Sequence, residues 1–154
     1  MTRPMSPERE KEYAELSAYI NFFATFILGI SPSDPSHPSN ARIAERFGRS
    51  QALQGARQAA NDSVAALRSR PVAEIRLLDT GLQEAGLITF SEVSRQYGRT
   101  YQRILKRGKI ADETECYLVA GVLADLTAGV SETERAALRG LYEEFESAVS
   151  RRQP

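Results

Sequence analysis

Residues 90–107 read Phe90-Ser-Glu-Val-Ser-Arg-Gln-Tyr-Gly-Arg-Thr-Tyr-Gln-Arg-Ile-Leu-Lys-Arg107, and two local folds compete for them. Ser94, Gly98 and Ile104 stand at the spacing of small residue, turn glycine and buried branched residue in a helix-turn-helix. The phase of the apolar residues argues otherwise. At roughly 100° per residue, Phe90, Val93, Tyr97, Tyr101, Ile104 and Leu105 fall within one arc of about 120°. Arg95, Arg99, Arg103 and Lys106 fall opposite. A turn at Gly98 is expected to slip that phase, so the pattern predicts one uninterrupted rod over 90–107, in which Gly98 costs about 1 kcal/mol of helix propensity.

Working outward, helix starts are marked by residues able to accept from the first unpaired backbone N–H groups. Ser6 precedes Pro7, and Thr89 with Glu92, Asp112 with Glu115 and Ser131 with Glu134 repeat a cap-x-x-Glu spacing. Gly29, Gly86, Gly108 and Gly129 follow the expected helix ends. The map has helices near 7–28, 40–47, 50–70, 72–85, 90–107, 113–127 and 132–150, with a loop at 31–39 that three prolines keep out of helix. No window alternates like a strand. The expectation is an all-α, single-domain bundle of about six helices spanning 1–154. Its last two helices lie antiparallel and pack through Val119, Val122, Leu123, Leu126, Leu138, Leu141, Tyr142, Phe145 and Val149 on the Phe-rich first helix.

Composition narrows the classes of function. A chain of 154 residues with 42% hydrophobic and 26% charged content can bury a real core. Its 20 basic and 20 acidic residues cancel, which gives no global attraction to nucleic acid or anionic lipid, so an electrostatic partner must be met by local clusters. The N-terminal residues from Thr2 lead into Glu8, Glu10, Glu12 and Glu15, unlike a secretion signal. The most apolar window, 19–30, falls short of the roughly 20 residues of a spanning helix, so no membrane contact is expected. One cysteine permits no intrachain disulfide and suits a reducing, cytoplasmic setting.

Arg95, Arg99, Arg103, Lys106, Arg107 and Lys109 form the one concentrated basic cluster, and no acidic residue interrupts it between Glu92 and Asp112. These six are the candidate partner-binding residues. Three uses compete: a solvated helix back, docking of an acidic protein surface, or phosphate contact. Internal pairing with the acids that follow, from Asp112, Glu113, Glu115 and Asp125 to Glu146, would use the arginines up. Tyr97 and Tyr101 share the apolar phase and are read as core residues with hydroxyls at a polar rim, not as base-stacking platforms.

Catalytic chemistry finds little material. His37 sits in the proline loop, and Cys116, among acids, is read as a buried structural thiol. No His pair, CxxC, HExxH, calcium loop or phosphate-cradling glycine motif is present, and the glutamates have capping or solvating roles. Neither an enzyme nor a bound metal or cofactor is expected.

The block Tyr97-Gly-Arg-Thr-Tyr-Gln-Arg-Ile-Leu-Lys-Arg-Gly-Lys-Ile-Ala-Asp-Glu-Thr-Glu-Cys-Tyr-Leu-Val119, with Leu141-Tyr-Glu-Glu-Phe145, resembles small all-helical bacterial proteins of unassigned role, some of them similar to immunity proteins of toxin systems. It covers about the last 60 residues and implies a non-enzymatic binder. The leading expectation is therefore a cytoplasmic protein-interaction module, an immunity or antitoxin-like inhibitor facing a toxin or another acidic surface. The alternative is a nucleic-acid-binding regulator using 90–107. A homodimer through the apolar stripe of 138–149 is a third reading.

Overall fold

The computed structural model describes residues 5–40, 43–124 and 129–152. They form α1 (Pro7–Phe26), α2 (Ile43–Phe47), α3 (Arg49–Ala66), α4 (Val72–Glu84), α5 (Phe90–Tyr97), α6 (Thr100–Arg107), α7 (Glu113–Ala124) and α8 (Glu132–Arg152). A 3-10 turn covers Pro38–Asn40, and no strand occurs among the described residues. The all-α expectation holds. Among the described residues there are eight helices, against an expectation of about six in seven mapped segments; 90–107 accounts for one of the difference, being two helices and not one. The expected helix end at 127, Asp125, Leu126 and the N-terminal reading from Thr2 lie outside the described residues.

All four anticipated caps form. Ser6 accepts from the Arg9 N–H at 3.3 Å, Thr89 from Glu92 at 3.2 Å, Asp112 from Glu115 at 2.8 Å and Ser131 from Glu134 at 3.1 Å. Each satisfies one of the donors that a helix start leaves unpaired. At the other ends, Gly29, Gly86 and Gly108 adopt left-handed backbone.

Two apolar clusters organise the helices. The first joins Leu16, Tyr19 and Phe23 of α1 with Leu53, Ala60 and Val64 of α3, Ile75, Leu78 and Leu82 of α4, and Phe90 and Val93 of α5. The second joins Tyr101 and Ile104 of α6, Ile110, Cys116, Val119 and Val122 of α7 and its approach, and Leu138 of α8. Helix α7 belongs to both, since Leu118 is part of the first cluster. Helix α8 rests on α7, where the Arg135 guanidinium donates to the Leu123 carbonyl at 3.0 Å. Its stripe packs against the second cluster and not, as expected, against α1.

The division between clusters explains the corner at Gly98. Helix α5 buries its apolar face in the first cluster and α6 in the second, so the chain must change direction between them. Gly98 does so with extended backbone (φ −88°, ψ 167°) and Arg99 re-enters the helical region (φ −100°, ψ −12°). The rod over 90–107 is thus corrected. A phase argument presumes one continuous axis, and two short helices that each face the body reproduce the same stripe.

Polar ties fix α5 to the rest. Both Glu12 carboxylate oxygens accept from Arg57, at 2.8 and 2.7 Å, and Glu12 also accepts from the Tyr97 hydroxyl at 2.7 Å, joining α1, α3 and α5. The Arg57 contact holds the Glu12 carboxyl below its ordinary range.

Candidate nucleic-acid interface

The corner is a built feature. Ser94 is 1% exposed and its carbonyl accepts from the Gly98 N–H at 3.2 Å. A Cβ placed on Gly98 would lie 2.9 Å from that same carbonyl oxygen and 2.9 Å from Cγ1 of Val64 on α3. Glycine is required here by close approach, not by backbone angle. Ile104, the third residue of the helix-turn-helix spacing, is fully buried. Ser94 and Ile104 are thus both buried on either side of the Gly98 corner.

The start of α5 is held by a residue that the sequence reading passed over. Asp79 of α4, 6% exposed, accepts from the Phe90 N–H at 2.6 Å, the Ser91 N–H at 3.4 Å, the Ser91 hydroxyl at 2.7 Å and the Tyr117 hydroxyl at 2.7 Å. One carboxylate so joins α4, α5 and α7. A signal was present: Asp79 shares helical phase with Ile75, Leu78 and Leu82, and a carboxylate on an apolar face demands partners. Burial and Asp79 push the Tyr117 hydroxyl to a higher pKa.

Of the six candidate cations, Arg95 is only partly exposed and pairs with Glu92, while Arg107 pairs with Glu115 and donates to the Lys109 carbonyl at 3.1 Å. Internal acids do consume these two. Arg99, Arg103, Lys106 and Lys109 are exposed, and no carboxylate among the described residues pairs with them. Arg99, Gln102, Arg103 and Lys106 recur at three and four residues, which places them on one face of α6 and its cap. Arg68, beyond the end of α3, joins them across a cleft of about 260 Å³ lined also by Asn61 and Thr100. The sequence reading missed Arg68 because only the tertiary fold brings it beside Arg99 and Arg103.

The tyrosines divide. The Tyr97 hydroxyl reaches Glu12 as a rim residue would. Tyr101 is 6% exposed and its hydroxyl, like that of Ser94, has no hydrogen-bond partner among the described residues, contrary to the expectation of a polar rim. Burial pushes the Tyr101 hydroxyl up to about 12.

The remaining reactive groups are engaged elsewhere. His37 is 2% exposed; its Nδ1 shares a hydrogen bond with the Ser39 hydroxyl at 2.7 Å and its Nε2 one with the Thr25 hydroxyl at 2.9 Å. The ring pins the proline loop to α1. Cys116 is buried, 3.9 Å from a Glu146 oxygen, and burial with that charge pushes its thiol up, away from the reactive thiolate. Among the described residues no cluster of three or more His, Cys, Asp or Glu side chains stands where it would hold a metal ion, and no helix is long and apolar enough to cross a membrane.

Compared with protein-family models, with curated proteins and with solved structures, the chain matches none of them. The resemblance to immunity-like proteins accordingly rests on its quoted residues alone.

Proposed function

We propose that the chain is a DNA-binding module in which α5, the Gly98 corner and α6 act as a helix-turn-helix, with α6 presented to the major groove. The observation that carries this reading is the corner, tightly packed at Gly98, followed by a helix whose outward side bears Arg99, Gln102, Arg103 and Lys106 with no acidic residue. The residue types suit the task. Arginine pairs bidentately with guanine and glutamine with adenine in that groove, while Lys106 and Lys109 suit phosphate.

The corner also weighs against an acidic protein as the partner, the reading that an immunity-like inhibitor requires. A cationic face alone serves either partner, but a short helix that follows a tight turn, buries one side through Tyr101 and Ile104 and turns its cationic side outward suits groove insertion in particular. With a formal charge of zero the chain has no general attraction to DNA, so its affinity depends on these few contacts.

Anisotropy of a labelled mixed-sequence duplex tests the proposal. Wild type is expected to bind at about 50 mM salt and to weaken steeply by about 200 mM, and R103E/K106E is expected to abolish binding without lowering the melting temperature. A wild-type protein that binds no duplex at the lower salt refutes the reading and returns an acidic protein partner to first place.

A further inference from the structure

The cleft that Arg68, Arg99 and Arg103 share is unexplained by a helix-turn-helix alone, because Arg68 comes from the segment after α3. We infer that this cleft is a phosphodiester seat, gripping one backbone phosphate of the duplex beside α6 and making the end of α3 part of the DNA interface. The inference rests on the DNA-binding reading above.

Three guanidinium groups on one small cleft repel one another unless an anion lies between them. No carboxylate lines this cleft, and none among the described residues pairs with any of the three; Asp112 and Glu115 line an adjoining cleft with Arg68, but Glu115 pairs with Arg107 and Asp112 accepts from the Glu115 N–H. Asp62, the nearest acid along α3, accepts instead from Gln58 at 2.9 Å. Arg70, two residues beyond Arg68, does pair with Glu74, at 3.2 Å, so the neighbouring cation of this segment has a carboxylate partner while those of the cleft have none among the described residues.

The other polar wall groups, the Asn61 amide and the Thr100 hydroxyl, add neutral donors of the kind that complete a phosphate site. Val64 supplies rigidity. It forms part of the cleft and also packs against Gly98, so the scaffold that sets the corner sets the seat. Placement favours a polymer phosphate over a free one: the cleft is open, and Arg99 and Arg103 belong both to its wall and to the outward side of α6. A strand crossing the seat would continue toward Lys106.

The test compares R68Q with R70Q, an equal change of charge made outside the cleft, in titrations of a mixed-sequence duplex. Both residues are exposed, and both variants should melt as wild type does, which thermal melts check before titration. Each phosphate contact contributes a slope of about −0.9 in log affinity against log salt, so wild type should lose about 3.5-fold more affinity than R68Q between ~50 and ~200 mM salt. R70Q should keep the wild-type slope. The loss in R68Q should be the same for duplexes of different sequence, since phosphate carries no base identity. As a second arm, inorganic phosphate is titrated into wild type at constant ionic strength while the arginine Nε–H resonances are followed. The duplex should shift those of Arg68 and Arg103 at concentrations where phosphate leaves them in place.

Equal slopes in R68Q, R70Q and wild type would overturn the seat while leaving duplex binding intact. Saturation by inorganic phosphate at the duplex's own concentration would overturn it in favour of a free-anion site. Failure of wild type to bind any duplex would remove both the seat and the functional reading on which it rests.

Discussion

Substituting Gly98 by alanine separates the corner from the continuous rod by the sign of the effect. In a rod, alanine gains about 1 kcal/mol of helix propensity over glycine. In the observed corner the backbone angles suit any residue, so no strain arises there, but the new methyl group meets two obstacles at 2.9 Å. One is the Ser94 carbonyl oxygen, which is backbone and already accepts from the Gly98 N–H; the other is a methyl of Val64, itself 6% exposed and closely packed. Overpacking by one methyl in such a setting costs about 1–3 kcal/mol. For chains of this size each kcal/mol moves the melting temperature by roughly 2–4 °C. G98A should therefore melt about 2–12 °C below wild type, where a rod predicts a rise of about 2–4 °C. Calorimetry reads the difference directly. The V64A background adds a second check, because it removes one obstacle: G98A should cost less there, with a coupling of roughly 0.5–3 kcal/mol. A melting temperature that rises in G98A, or a cost indifferent to Val64, would refute the reasoning.

Three further outcomes are expected. Ser94→Ala discards a buried hydroxyl that has no partner and should stabilise the chain by about 1 kcal/mol in urea unfolding; a loss of similar size would mean that the hydroxyl is hydrogen-bonded. Asp79→Ala leaves the Phe90 and Ser91 N–H groups and two hydroxyls without their acceptor and should cost about 2–4 kcal/mol by the same assay, whereas a change within about 0.5 kcal/mol would deny Asp79 its role as a tie. Burial places the Tyr101 hydroxyl near 12 in the folded chain against 10.0 ordinarily, so the unfolded state loses its proton first on the alkaline side. The stabilisation is full below pH 10, declines as pH rises through 12, and should decline less in Y101F; identical alkaline melting curves for the two proteins would exclude it.

What could be read in the sequence was what local chemistry decides. Ser6, Thr89, Asp112 and Ser131 announce helix starts because a cap and its acceptor-seeking N–H lie three residues apart, whatever the tertiary fold. The burial of Cys116 agrees with the reading of a structural thiol among acids. The corner was half legible: Ser94, Gly98 and Ile104 marked it, but the apolar phase was given more weight, and phase is blind to which of two cores a helix faces. Arg95 and Arg107 were placed among the partner-binding residues although Glu92 and Glu115 hold them within the chain. Arg68 and His37 were beyond reach, since the cleft and the burial under the proline loop come from segments brought together only by folding.

Neither α5 nor α6, at eight residues each, is long enough to persist as a helix unaided. Their mutual angle is consequently imposed from behind, by Val64 of α3 at the corner and by α7, which lends Leu118 to one core and Val119 and Val122 to the other and receives the Asp79 tie through Tyr117. Of these elements only α7 contributes to both cores. A rotation of this one helix would tilt the exposed cations of α6 relative to Arg68, so the spacing of the charges that the surface offers is governed by an element that grips α6 mainly through its buried side chains and, at Arg107, through Glu115.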